Sequence, residues 1–134
     1  MEELTNINEL NLTIGVTLLT IGTFLGAVWA NESWGRYWGW DPKETWALVT
    51  VLVYSFVIHM RMMPGLRGSF AFNFAALISF SSVLMTYFGV NYYLSGLHSY
   101  ASGDPVPIPG FVYYTVAIIA IVSVLAWLNN RRET

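Results

Sequence analysis

Apolar and polar residues fall along this chain in long blocks, not in short alternations. Residues 2–11 are mostly polar and include Glu2, Glu3 and Glu9, whereas residues 12–30 carry no charge. A stretch crowded with tryptophan and charge follows: Trp34-Gly35-Arg36-Tyr37-Trp38-Gly39-Trp40-Asp41-Pro42-Lys43-Glu44-Thr45-Trp46. Further apolar runs extend from Trp46 to His59, from about Ser69 to Leu94 and from about Phe111 to Leu128. About 20 apolar residues cross a bilayer as a helix. The pattern therefore predicts an all-α membrane protein with four transmembrane helices at about 12–30, 45–60, 69–94 and 111–128, in a single membrane domain, 1–134. The tryptophan-rich segment, 31–46, lies between the first two, and a Pro/Gly-rich loop, 95–110, between the last two.

Local signals sharpen this. Asp41-Pro42-Lys43-Glu44 has the form of a helix start, with Asp41 as N-cap, Pro42 at the first helical position and Glu44 as the capping-box acid. Arg61-Met62-Met63-Pro64-Gly65-Leu66-Arg67-Gly68 reads as a turn. Gly22 and Gly26 have a spacing that allows close helix contact, or are ordinary membrane glycines.

Composition agrees with the membrane reading. The chain is 55% hydrophobic and 10% charged, with a mean hydropathy of +0.52, against roughly 25% charge in soluble domains. A soluble fold this short could not bury so much apolar surface. The acidic start, Met1-Glu2-Glu3, is not a secretory signal pattern, so insertion is expected to rely on the spans. With no cysteine, the chain can hold neither a disulfide nor an iron–sulfur cluster nor its own covalent haem attachment site. A net charge of −2 and no basic patch exclude nucleic acid as a partner. Four spans would put both termini on one side, where Arg61, Arg67, Arg131 and Arg132 also fall. Arg36 and Lys43 lie opposite, outnumbered by Glu32, Asp41, Glu44 and Asp104. Positive charge marks the cytoplasmic side, so the termini are expected there, with the tryptophan segment and the loop bearing His98 both extracytoplasmic.

Four of the six tryptophans lie within 34–46. An aromatic belt at the lipid headgroups accounts for Trp29, Trp46 and Trp127. It accounts less well for Trp34, Tyr37, Trp38 and Trp40 with Gly35 and Gly39 between them. If the segment is helical, Trp34 and Trp38 are neighbours and form a flat wall. The glycines let a ligand or another backbone approach, and Arg36 or Lys43 could meet carboxylates at a ligand's edge. This favours a platform for a broad, planar, apolar ligand with charged edges. A lone interfacial histidine is ordinarily unremarked, but His98 is expected on the same face as the platform. An aromatic wall with one imidazole suits haem, which needs a stacking surface and an axial ligand. His59, near the other end of the second span, is too distant for the same ligand and is a candidate for a second site. No metalloprotease, phosphate-loop or serine-nucleophile motif is present, and Asp41 and Glu44 read as a cap, not an acid/base pair.

The segment Trp34 to Trp46 resembles the tryptophan-rich "WWD" signature of haem-handling membrane proteins. Gly26-Ala-Val-Trp-Ala-Asn-Glu32, Thr86-Tyr-Phe-Gly-Val-Asn91 and Leu94-Ser-Gly-Leu-His-Ser-Tyr100 extend the likeness over nearly the whole chain. Together they resemble the CcsA/ResC type of cytochrome c biogenesis protein, of System II. The continuation Asp41-Pro-Lys-Glu-Thr-Trp46 separates it from the CcmC and CcmF proteins of System I. The resemblance implies part of a holocytochrome c synthase (cytochrome c haem lyase) of the inner or cytoplasmic membrane. Such a machine carries haem b outward and supports thioether attachment to the Cys-x-x-Cys-His motif of apocytochrome c. It implies Trp34, Trp38, Trp40 and Asp41 at the external haem platform, to which the reading of the residues adds Arg36 and Tyr37, with His98 as an external iron ligand and His59 as one of a transmembrane pair. The family's full site uses two histidines at each level, and this chain has one of each. The chain therefore resembles the C-terminal part of a larger synthase, with upstream CcsA spans and a CcsB/ResB-type subunit or region as partners beside haem, apocytochrome c and lipid. Two other functions stay open: a non-catalytic haem carrier or exporter, and a structural four-helix membrane subunit.

Overall fold

The computed structural model describes residues 2–97 and 107–133. All regular structure among them is helical: α1 (Glu2–Trp34), α2 (Pro42–Met60), α3 (Ser69–Leu84), a π-helical turn (Met85–Gly89) running directly into α4 (Val90–Tyr93), and α5 (Gly110–Glu133). Three helical stretches are long and apolar enough to cross a membrane: Glu2–Trp34, Ser69–Tyr93 and Gly110–Arg131. The remaining expected span, α2, has 19 residues, but Lys43 and Glu44 occupy its first turn. Its apolar section, Trp46 to Ile58, measures about 20 Å at 1.5 Å per residue, short of the roughly 30 Å hydrocarbon core.

The first span is longer than its apolar block. Helix α1 covers 33 residues, including the polar stretch expected to precede the membrane. No proline or glycine interrupts residues 2–14, Glu2 and Glu3 complement the helix dipole at its start, and the polar side chains of the first turns find partners on α2 and α3. Farther along, Thr13, Thr17, Thr20 and Thr23 return their hydroxyls to the carbonyl four residues back at 2.8 Å. That satisfies them where water is absent. The helix stops at Gly35, whose φ of 71° and N–H bond to the Asn31 carbonyl form a left-handed cap. The tryptophan segment is therefore not one helix. Asn31 to Trp34 end α1, residues 35–41 are irregular, and α2 begins at Pro42. No atom approaches within 4 Å of a Cβ built at Gly22 or Gly26, so neither makes a close helix contact among the described residues.

Up to residue 103 the chain forms one unit and from 104 another. In the first, α2 packs against both α1 and α3. The side-chain bonds fix the directions: α2 is antiparallel to each, and α1 and α3 run parallel. At one end Asn73 of α3 donates to Thr5 (2.9 Å) and to the Ser69 carbonyl (2.8 Å), and accepts from Asn8 (2.8 Å). Arg61, just past α2, pairs with Glu9 at 3.0 Å, also donates to Asn6 and the Arg67 carbonyl, and lies over the Phe72 ring. Beneath this polar end, Val57, Met60, Phe72 and Ala76 form the buried core, flanked by Leu12 and Leu66. At the other end the Thr50 and Thr86 hydroxyls meet at 3.0 Å; both lie within hydrogen-bond distance of the Trp46 carbonyl, and Thr86 lies closer still to the Ser82 carbonyl, at 2.7 Å. The π turn widens the helix where the Met85 side chain lies back over Gly89, in the space that a Cβ there would take. The second unit contains α5, which is apolar on every face along Phe111 to Leu128, the pattern of a membrane span. Arg131 stacks 4.1 Å over Trp127 near its end.

The Asn73 cluster should matter more to stability than the Glu9–Arg61 pair. The ion pair is partly exposed (29% and 35%) and worth at most about 1 kcal/mol. Asn73→Leu removes three side-chain hydrogen bonds, those with Thr5, Asn8 and the Ser69 carbonyl, each worth about 0.5–1.5 kcal/mol. Thermal unfolding in detergent should show a larger drop for Asn73→Leu than for Glu9→Gln.

Candidate functional site

The site is built on the start of α2. Asp41 is its N-cap: the Lys43 N–H donates to Asp41 Oδ2 at 3.3 Å, Glu44 completes the capping box and Pro42 occupies the first turn, as the sequence predicts. The second carboxylate oxygen has a different partner. Asp41 Oδ1 accepts the N–H of Leu97, 56 residues on, at 2.7 Å, and Asp41 is only 7% exposed. Gly96 permits this approach. A Cβ at residue 96 would run into the Asp41 carboxylate and lie 2.8 Å from Pro42 Cδ. One buried carboxylate thus fastens the tryptophan segment to the turn that follows α4.

The irregular stretch 35–41 is organised by its own charges. The Gly39 and Asp41 N–H groups, on either side of Trp40, both donate to Glu44 Oε2, at 2.8 and 3.2 Å. The Arg36 guanidinium packs on Gly39, where a Cβ would lie 2.7 Å from Nη2. Between them Trp40 has φ of 57°, a left-handed conformation that is an outlier for a bulky side chain and costs on the order of 1–3 kcal/mol. The residue is 71% exposed. The sequence suggests that the glycines admit a ligand. In the structure Gly35 supplies the left-handed turn and Gly39 admits the chain's own arginine.

The aromatic arrangement also differs from the expected wall. Trp34 and Trp38 do not form the paired face of a continuous helix, because the helix ends between them. Trp34 meets Trp29 edge-to-face at 5.1 Å and 79°, and Trp38 meets Trp40 at 5.8 Å and 88°. Trp34 and Trp38 are half-buried, whereas Arg36, Tyr37 and Trp40 are exposed. The outward aromatic surface therefore comes from Tyr37 and Trp40.

His98 and residues 99–106 lie outside the described residues, and Leu97 is the last described position before them. His59 is exposed on α2, 18 residues and about 27 Å from Asp41 along the helix. Its Nδ1 is 2.7 Å from the Ser55 carbonyl. A carbonyl only accepts, so Nδ1 carries the proton in neutral imidazole, leaving the Nε2 lone pair available. A backbone carbonyl fixing the far nitrogen is the usual support of a metal-ligating histidine. Gly96 and the second bond of Glu44 were not singled out from sequence. The Leu94-Ser-Gly-Leu stretch held the signal for Gly96, a glycine in a turn. The Glu44–Gly39 bond depends on how 35–41 folds back and has no local signature. Asn91, just after the π turn, keeps a buried side-chain oxygen with no hydrogen-bond partner, an uncommon condition.

A family model described as Cytochrome C assembly protein matches residues 1–98. The chain is similar to the protein NrfI of Wolinella succinogenes, 55% identical over 107 residues, covering 80% of this chain and 12% of that protein. It is similar to the cytochrome c biogenesis protein CcsA of Gloeobacter violaceus, 46% identical over 99 residues, covering 74% and 29%. The CcsA of Oryza sativa is 50% identical over 91 residues, covering 68% and 28%. The chain spans less than a third of the length of each of these relatives.

The carboxylate junction gives a direct test. Gly96→Ala should lower thermal stability by about 1–3 kcal/mol through overpacking, and the Leu97 amide should lose hydrogen-exchange protection. Asp41→Ala should do the same. The double variant should be little worse than Asp41→Ala alone, which also removes the cap of α2, because the contact that Gly96→Ala disturbs is by then already lost. Fully additive losses would separate the two residues.

Proposed function

The chain belongs to the Cytochrome C assembly protein family, and from that premise we propose that it presents haem for attachment during cytochrome c biogenesis. It does so as part of a larger CcsA-type, System II synthase of the cytoplasmic membrane. The observation that carries the reading is the Asp41–Leu97 bond. It ties the aromatic segment to the backbone position directly before His98, so one end of the unit carries both the aromatic surface and the approach to an imidazole.

The residues present fit haem. Tyr37 and Trp40 offer exposed aromatic faces, 61% and 71% accessible, and Trp38 backs Trp40. Stacking on such faces suits a porphyrin. Arg36 is exposed beside them and can take a propionate with its planar fork. In this reading His98 ligates the iron from the outer face. His59, with Nε2 available, is one ligand of a second site at the other end of α2, which in this reading crosses as the second of four spans, its short apolar section accommodated by local thinning of the bilayer and by α1 and α3 on either side. The termini and Arg61 face the cytoplasm. The second histidine of each site comes from upstream CcsA spans, and a CcsB/ResB-type subunit or region completes the assembly. Attachment adds each thiol of apocytochrome c across a haem vinyl group, the sulfur to one carbon and the hydrogen to the other. The chain's contribution is to hold the porphyrin and leave that edge open.

Haemin titration of the purified chain, followed by the Soret band, tests this. Trp38→Ala and Trp40→Ala should each weaken binding about threefold to tenfold, as loss of an aromatic contact worth about 0.5–1.5 kcal/mol requires. His98→Ala should weaken the Soret band. An unchanged spectrum together with an unchanged yield of holocytochrome c in that variant would sink the assignment. Haem delivery without thioether-linked product on co-expressed apocytochrome would identify a carrier instead.

A further inference from the structure

Glu44 makes one bond more than its helix needs. A capping-box acid reaches back to a single backbone N–H, that of the N-cap residue. Glu44 Oε2 takes the N–H of Asp41 and also that of Gly39, two residues farther back and outside the helix. These two donors bracket Trp40. Trp40 has the only positive φ among the described non-glycine residues, and its indole is mostly in the open. Burial therefore does not hold it in a conformation that L side chains disfavour. The two bonds that one carboxylate oxygen accepts fix the Trp38–Gly39 and Trp40–Asp41 peptide planes, which flank the Gly39–Trp40 pair. The Arg36 guanidinium packed on Gly39 closes the other side of the loop.

We infer that Glu44 is a positioning residue for the haem platform: it holds Trp40 in the left-handed conformation that turns the indole outward to meet the porphyrin. The inference rests on the haem-presenting reading above and adds a residue acting through another. Left to itself, a tryptophan at this position relaxes to negative φ, and its ring leaves the platform.

The test uses the full chain in detergent micelles. Glu44→Ala should weaken haemin binding about tenfold, the effect expected when a strained backbone is released. Glu44→Gln keeps an acceptor oxygen of the same reach and should recover most of it. In a Trp40→Ala background, Glu44→Ala should change the affinity by less than about twofold, because the residue it acts through is gone. Equal losses in both backgrounds would overturn the inference, since the acid would then act through the fold as a whole. Where the alanine variant does not fold, Glu44→Asp, which keeps the charge but is too short to reach the Gly39 N–H, carries the same comparison. A second measurement needs no haem. The emission assigned to Trp40, taken as wild type minus Trp40→Phe, should change its acrylamide quenching by about twofold in Glu44→Ala. Unchanged quenching would overturn the positioning role. A wild-type chain that binds no haemin, but whose Trp40 quenching still depends on Glu44, would sink the haem reading and keep the positioning role.

Discussion

The carboxylate of Asp41 is the joint on which the described end of this fold depends. A charged group this buried needs partners for its lone pairs, and unpaired it would be expensive. Asp41 meets that need with two backbone N–H groups from distant parts of the chain: Lys43 within the first turn of α2, and Leu97 after α4. One group thus opens a helix and anchors the return of another. Backbone N–H groups are obligatory donors, so the arrangement also removes an unpaired amide from a turn that leaves the long apolar stretch Ser69–Tyr93. Gly96 follows as a steric consequence, since only a residue without Cβ allows the turn to come this close.

The two ends of the first unit solve different problems. At the Arg61 end, amides, hydroxyls and one ion pair are mutually satisfied, and the apolar core lies directly beneath them. Nothing there is strained, and the polar groups read as a clasp for three helix ends. At the Trp40 end, a bulky residue stands at positive φ with its ring exposed, and Asn91 keeps an unfilled acceptor. Local rules are broken there and upheld elsewhere. Such violations concentrate where a structure is shaped for something other than its own stability.

Much of this was legible in the chain. Block-like hydrophobicity showed the helices, and Asp41-Pro-Lys-Glu44 showed the start of α2 to the residue, because capping needs defined chemistry at fixed spacing. The length of α1 was not legible. Its polar first turns look like a tail until Thr5 and Asn8 are seen against Asn73 on α3, a contact more than 60 residues away in sequence. The paired Trp34–Trp38 wall failed for a local reason. Gly35 takes a left-handed cap, and a single such residue ends the periodicity on which the pairing depended. The π turn at Met85–Gly89 has no pattern of its own; it becomes intelligible only through Met85 lying over Gly89 and Thr86 reaching the Trp46 carbonyl.

Cooperation between charge and aromatic surface explains why so few ionisable residues suffice here. In lipid or at its edge, a charge is costly unless it is fully employed. Glu44 closes the loop from within and Arg36 packs on it from outside, while Asp41 locks it to the following turn. Each satisfies backbone groups or covers a glycine that would otherwise be left open. The aromatic side chains are thereby released from structural duty: Tyr37 and Trp40 are not needed to fill a core and can face outward. A segment whose charges hold the fold and whose rings are left free is suited to receive a flat apolar molecule. The reverse arrangement, rings packed inward and charges outward, would give a stable loop with nothing to offer a porphyrin.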